Sequence, residues 1–511
     1  MRQCCQGRRA DSWHHILATA SARSTIPSFM DWLHRFWHLA LAGLDLLISI
    51  VASGHAVLYK RDSRAAIGWV GFIWLVPLVG AVTYFIFGVN RLRRRATLLR
   101  ADLERYQAHP RLDQTLPKDL PRHVPVHAAH LSMLARVVGE VVGRPLLPGN
   151  SVEPLINGDA AYPAMLEAIQ AARETISLET YIFDRDETGL AFARALGDAV
   201  RRGVQVRVLI DAAGLRYSLP TIRHALNREK VPNRRFLPSL VPWRATMLNM
   251  RTHRKILVTD GRVGFTGGIN IRHGHRLDAH PKRPIQDMHF RVRGPVVTQL
   301  QEAFADDWLF TTGETLRGDS WFPRPEPAGR VLARGIIDGP DEDFEKLRWS
   351  ILGALSISRE SILIATPYFL PDQALVSALN LAAMRGVKLD ILLPVNNNLP
   401  FVQWASQSMW WQVLEHGCRI WLTPPPFDHS KVMIVDQGWV LVGSANWDAR
   451  SLRLNFEYNI ECYDSDLACN MAALVEKKRA ASHLVTLEEM DARSLPIRLR
   501  DGLARLLTPY L

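Results

Sequence analysis

Two stretches of this 511-residue chain repeat one pattern, and that repetition constrains the fold more than any other feature. His253-Arg-Lys255-Ile-Leu-Val-Thr-Asp260 and His429-Ser-Lys431-Val-Met-Ile-Val-Asp436 both read H-x-K-x4-D. In this composition one copy arises by chance about 0.02 times per chain, so two copies are not coincidence. Gly267-Gly268-Ile-Asn270 and Gly443-Ser444-Ala-Asn446 follow, each beginning 14 residues after its histidine. Equal spacing twice predicts equal geometry twice. The apolar run after each lysine reads as a strand, on which residues i and i+2 face the same way, so His253 with Lys255, and His429 with Lys431, converge on one site. Asp260 and Asp436 complete the motifs and stand with those four as the candidate catalytic set. Both fall on the other parity, however. Asp260-Gly261 is a favoured hairpin turn pair and Asp436-Gln-Gly438 a looser version, which reads as turn-fixing rather than substrate contact.

The repetition extends upstream. Gly158-Asp159 precedes a helical stretch over 165–173 and the apolar run Ile176 to Phe183, and Gly339-Pro340-Asp341 precedes a helical stretch over 344–356 and the run Ile362 to Leu370. Gly203 to Asp211 and Gly386 to Pro394 then read as glycine-led strands. Strands alternating with helices at this spacing predict an α/β fold. The expected architecture is two similar lobes, residues 146–325 and 326–511, with a site shared at their interface. A period this long excludes a solenoid, whose units run to about 20–50 residues.

Ahead of the repeat, Phe36–Tyr59 and Ala65–Val89 are apolar runs separated by Lys60-Arg-Asp-Ser-Arg64. Each is long enough for a bilayer core, which needs about 20 helical residues. A two-helix transmembrane hairpin is therefore expected over residues 36–90, between an N-terminal tail (1–35) and a basic, partly helical linker (91–145). Pro77 and Gly80 predict a kink or close packing. Asp45 reads as a neutral or partnered group in the hairpin interface. Arg2, Arg8, Arg9, Arg23 and Arg35 before the hairpin, and Arg91, Arg93, Arg94, Arg95, Arg100 and Arg105 after it, outweigh the basic loop. The positive-inside bias places the lobes on the cytoplasmic face of a multi-pass protein. A net charge of +12 points to an anionic partner, lipid headgroup or nucleic acid, and arginines directly after an apolar run favour anionic lipid. The five cysteines follow no metal or disulfide spacing, which suits a reducing compartment.

The tandem motifs with their GGxN and GSxN partners resemble the phospholipase D superfamily over residues 150–511. That resemblance implies two phospholipase D-like lobes with one active site at their seam and a covalent phosphohistidine on one histidine, with no metal and no cofactor. It further implies Asn270, Asn446 and Ser444 at the phosphate, and Asp287 and Glu457 orienting the histidines, Asp287 on His253 and Glu457 on His429. His253 is carried over as nucleophile and His429 as proton donor. Within the superfamily the chain is similar to the bacterial cardiolipin synthase family. The similarity rests on Pro77-Leu-Val-Gly80, Tyr84-Phe-Ile-Phe-Gly88, Arg251-Thr-His-Arg-Lys255, Ser444-Ala-Asn-Trp-Asp-Ala-Arg-Ser451 and Asn455-Phe-Glu457. It implies transfer of a phosphatidyl group from one phosphatidylglycerol to another with release of glycerol, with phosphatidylglycerol and other anionic phospholipids as partners. The implied location is the bacterial inner membrane. Ser430, where alanine is usual, and Pro424-Pro-Pro-Phe-Asp428 depart from the pattern and bear on acceptor preference.

A hydrolase that passes the same intermediate to water, or a transferase with another acceptor, would keep every motif. A nuclease leaves the hairpin unexplained, and a non-catalytic scaffold predicts decayed motifs where both are complete. Phe401, Trp410 and Trp411 read either as an acyl entrance or as core. His273, His275 and His289 read as structural.

Overall fold

The computed structural model describes residues 29–60, 63–88, 126–237, 251–340, 343–506 and 508, in two compact units, residues 1–89 and 90–511. The N-terminal arginines, Cys4 and Cys5, the Arg91 cluster and most of the expected linker lie outside the described residues.

In the first unit, helix Phe29–Tyr59 contains one segment, Phe36–Tyr59, long and apolar enough to cross a membrane. The second apolar run is not the continuous span expected. Pro77 cannot donate a backbone hydrogen bond, and at Val76 the chain leaves helical geometry (φ −137°, ψ 76°). The run becomes helix Ser63–Leu75, helix Pro77–Thr83 and a π-helical turn over Tyr84–Gly88. These pieces pack with the long helix through Ala52, Ala56, Ile73, Ala81 and Tyr84. Gly80 permits the approach, since a Cβ there would sit 2.6 Å from the Phe72 carbonyl oxygen. Asp45 is half-buried, and its Oδ1 has no hydrogen-bond partner among the described residues.

The second unit is built on a fifteen-stranded sheet. The first lobe supplies β1 (Leu147–Ile156), β2 (Thr175–Thr180), β3 (Gln205–Asp211), β4 (Asn233–Phe236), β5 (Ile256–Thr259), β6 (Val263–Gly267), the two-residue β7 (Ile285–Gln286) and β8 (Met288–Arg293). The second supplies β9 (Val331–Asp338), β10 (Ser361–Ala365), β11 (Lys388–Pro394), β12 (Arg419–Thr423), the two-residue β13 (Phe427–Asp428), β14 (Val432–Val435), β15 (Trp439–Gly443), β16 (Glu457–Tyr463) and β17 (His483–Leu484). In the fifteen-stranded sheet the order β1-β8-β6-β5-β2-β3-β4 is repeated as β9-β16-β15-β14-β10-β11-β12, with β17 added at the edge, while β7 and β13 form a separate two-stranded sheet. The halves join through antiparallel pairing of β1 with β9, as in Asn150↔Val331.

The parallel pairs β2–β3 and β10–β11 need crossovers, which helices Glu187–Arg201 and Gln373–Met384 provide. Asp186 and Asp372 start those helices by accepting backbone N–H groups from the first turn. One apolar cluster crosses the seam, uniting Phe290 and Val292 of β8, Leu300 and Phe304 of helix Val296–Thr312, Tyr458 and Ile460 of β16, and Met471 of helix Ser465–Ala480. The end of the expected linker is also part of the second lobe. Helix Leu131–Val142 buries Leu131, Leu134, Val138 and Val142 against Leu347 and Ile351.

Candidate active site

His253 and Lys255 immediately precede β5, and His429 and Lys431 immediately precede β14, at matching places in the two halves of the sheet. Each histidine segment pairs with the opposite lobe. Thr252 bridges Phe456; the His253 amide donates to the Phe456 carbonyl and the Phe456 amide to the Arg251 carbonyl, both at 2.8 Å. In the same way β13 runs parallel to β7, and the His429 amide donates to the Gln286 carbonyl at 2.7 Å. Phe456 precedes Glu457 and Gln286 precedes Asp287, so each pairing delivers one lobe's histidine to the other lobe's acid.

The acids therefore pair crosswise, which corrects the expected assignment. His253 Nδ1 lies 3.0 Å from both Glu457 carboxylate oxygens, and His429 Nδ1 lies 2.7 Å from Asp287 Oδ2. With Nδ1 engaged, Nε2 is the ring nitrogen left for the cavity of about 420 Å³ that both histidines line. Tyr181 and Tyr368 stand edge-on to His253 and His429, with ring centroids 5.3 and 6.3 Å away.

The two acids have unlike surroundings. Glu457 accepts from the Ser444 hydroxyl and from Asn455 Nδ2 at 3.2 Å. Burial pushes its carboxyl up, but His253, Lys255 and Ser444 outweigh that and hold it at about 2. Ser444 is turned to Glu457, which corrects its expected place at the phosphate. Gly268 holds the matching position in the first lobe, where a Cβ would lie 2.2 Å from Asp287 Oδ1. At Asp287 burial prevails over the attraction of Lys431 and His275, and its carboxyl is raised.

Burial lowers both histidines. At His253 it prevails over the pull of Glu457; at His429 it is joined by Lys431, Lys255 and His253, which drive that ring well below its ordinary value. Burial favours the neutral His253 ring, whose Nδ1–H donates to the Glu457 carboxylate. Burial also brings Lys255 down to about 7 and Lys431 to about 8. Lys255 Nζ donates to the His253 carbonyl at 2.6 Å, and Lys431 Nζ lies 2.9 Å from His429 Nδ1.

Asn270 and Asn446 both line the cavity. Asn270 accepts from the Ile182 amide, leaving its own NH2 available, while Asn446 donates to Ser451. Asp260 and Asp436, by contrast, point into backbone. Asp260 accepts from the amides of Arg173, Glu174 and Thr175, and Asp436 from those of Arg359, Glu360 and Ser361 and from His130 Nε2 at 2.6 Å. Asp260 and Gly261 adopt φ of 51° and 61°, the left-handed pair of a tight hairpin. These two residues leave the catalytic set and anchor the hairpins that carry it.

Trp410 is core, its indole N–H donating to Ser406, while Phe401 is exposed and lines the cavity. His275, read as structural, also lines it, with burial bringing its ring down to about 3. Sequence reasoning missed Tyr181, Tyr368, Arg272 and Asp448. The tyrosines had a usable signal, since each follows the second strand of its repeat, β2 or β10. No group of three or more His, Cys, Asp or Glu suited to a metal occurs among the described residues.

Residues 165–308 and 351–478 match the family described as cardiolipin synthase, PLD-like domain. The chain belongs to that family. Residues 47–88 match the family described as phospholipase D-nuclease N-terminal. Cardiolipin synthase of Geobacillus kaustophilus is 31% identical, covering 93% of this chain and 95% of that protein. The major cardiolipin synthase of Bacillus subtilis is also 31% identical, with coverage of 92% and 97%. Cardiolipin synthase A of Pseudomonas putida is 31% identical, with coverage of 94% and 100%. A phosphatidylserine synthase of Haemophilus influenzae superposes with a TM-score of 0.57 at 17% identity, covering 74% of this chain and 100% of that one, which speaks to fold alone. Family membership makes the chain a phosphatidyltransferase that acts on phospholipids.

Proposed function

We propose that the chain is a cardiolipin synthase that moves a phosphatidyl group between two phosphatidylglycerols through a covalent histidine intermediate. The observation that carries this reading is the crossed pair of histidine–carboxylate dyads whose histidines line one cavity. A phosphodiester repels nucleophiles, so its cleavage needs a strong nucleophile, a proton for the leaving alkoxide and cations around the phosphate. His253 Nε2 attacks phosphorus, the bond from phosphorus to the glycerol oxygen breaks, and His429, held as imidazolium by Asp287 and the anionic phosphodiester, gives that oxygen its Nε2 proton. A hydroxyl of the second phosphatidylglycerol then yields its proton to His429 and attacks phosphorus, breaking the P–N bond and forming cardiolipin. Lys255, Lys431, Asn270 and Asn446 stabilise the five-coordinate charge, an effect of about 2–4 kcal/mol per donor.

The unequal dyads support these roles. His253 faces an ionised Glu457 through both carboxylate oxygens, which enriches the ring, while Lys431 beside Nδ1 makes His429 the weaker base and better acid. On this reading the protein resides in the bacterial inner membrane as a multi-pass protein with its lobes on the cytoplasmic side. Mass spectrometry of products formed from phosphatidylglycerol alone tests the reaction. Cardiolipin with an equivalent of glycerol is expected; phosphatidic acid as the main product would assign a hydrolase. Product formed only after phosphatidylethanolamine is added would assign another acceptor.

A further inference from the structure

The C-terminal helix Leu495–Leu506 is docked the wrong way round for a protein surrounded by water. Its inward face carries Ala504, packed with Leu370, Val402 and Ala405, and Asp501, paired with Arg493 and Arg500. Leu495, Leu499, Leu503 and Leu506 recur at i, i+4, i+8 and i+11, so they form one stripe on the opposite face, 58–71% exposed. A water-facing helix buries such a stripe. Helical spacing puts the exposed Arg498 and Arg505 along its edge. An apolar stripe edged by arginines matches the boundary between acyl chains and anionic headgroups.

The helix that carries the stripe packs on a segment that lines the cavity. The helix rests on Pro400–Gln407, and Leu399 and Phe401, at the start of that segment, are 45% and 56% exposed and line the cavity mouth. We propose that helix Leu495–Leu506 lies in the surface of an anionic bilayer and sets the mouth at Leu399 and Phe401 against it, so that lipid reaches the histidines without crossing water. The proposal rests on the lipid substrates of the preceding section.

The test uses full-length protein carrying Leu499→Glu and Leu503→Glu, checked for an unchanged Tm. Cardiolipin formation is measured on phosphatidylglycerol vesicles and on dihexanoyl-phosphatidylglycerol below its critical micelle concentration. The vesicle rate at limiting lipid falls about tenfold or more, as loss of two buried leucines implies, and the short-chain rate holds within about twofold. Equal rates on vesicles, or equal losses on both substrates, would overturn the proposal. A Leu503→Cys variant labelled with an environment-sensitive dye reports docking without turnover, its emission shifting blue on anionic vesicles but not in detergent. A blue emission already present in detergent would mean that a second copy or the chain's own apolar N-terminal helices cover the stripe, and would also overturn it. Absence of cardiolipin from wild type on either substrate would remove the functional reading while the dye still reports on docking.

Discussion

Glu457 and Asp287 hold matching histidines, yet Ser444 stands behind one and the space at Gly268 behind the other. If the ionised Glu457 activates the nucleophile, Glu457→Gln lowers kcat by about 10²–10⁴-fold with little change in KM, and Asp287→Asn lowers it less. Steady-state kinetics of the two variants check the order. Lys255 and Lys431 set the alkaline limb. With folded values of about 7 and 8 they lose their protons as pH rises, so kcat/KM declines above about pH 7, and Lys255→Arg moves that limb upward. Their linkage to stability has the opposite sense. The unfolded chain binds more protons than the folded one between the folded values and the ordinary lysine value of 10.5, so these lysines add stability as pH rises through that window. Asp436→Asn costs about 1–3 kcal/mol, read as a lower Tm, because it disturbs three backbone hydrogen bonds and the His130 contact, while kcat of the folded enzyme stays within a few-fold. The two histidines that share the cavity and the lysines beside them were legible in the sequence from motif spacing, and strand parity set Asp260 and Asp436 apart. The partner of each histidine was not legible, because periodicity within a lobe says nothing about which lobe's acid faces it.

The crossed dyads are made by short backbone ladders, the Thr252–Phe456 bridge and the β7–β13 pair, too brief to leave a hydrophobic pattern in sequence. The glycine pair has an element-scale role that can be tested. Gly268→Ala would place its Cβ against Asp287 Oδ1, so the carboxylate must move away from His429. Turnover should fall by about 10–100-fold with folding intact, read by circular dichroism beside product assays. The long strands and crossover helices were predictable from alternation because each buries a regular face. The second apolar run was not predictable as two helices from hydropathy, although Pro77 marked the break. Helix Leu131–Val142 fits a partly helical linker, but its packing onto the second lobe was not legible, since an amphipathic stripe does not say which surface it covers.

Across the whole molecule the repeated strand order turns two incomplete half-sites into one. Both cavity-lining histidines meet their carboxylates across the seam, so the proposed catalysis requires it. The apolar cluster that crosses it packs the two lobes, and with them the dyads, against each other. The central claim is that both imidazoles serve a single phosphorus, His253 by bonding to it and His429 by moving the proton. The most direct measurement gives His429→Ala protein a phosphorus-labelled phosphatidyl donor with a p-nitrophenol leaving group, which needs no acid to depart. Label should then accumulate on His253 as an acid-labile adduct and be absent from the His253→Ala variant. Label recovered elsewhere, or p-nitrophenol released at full rate without any covalent adduct, would contradict the account.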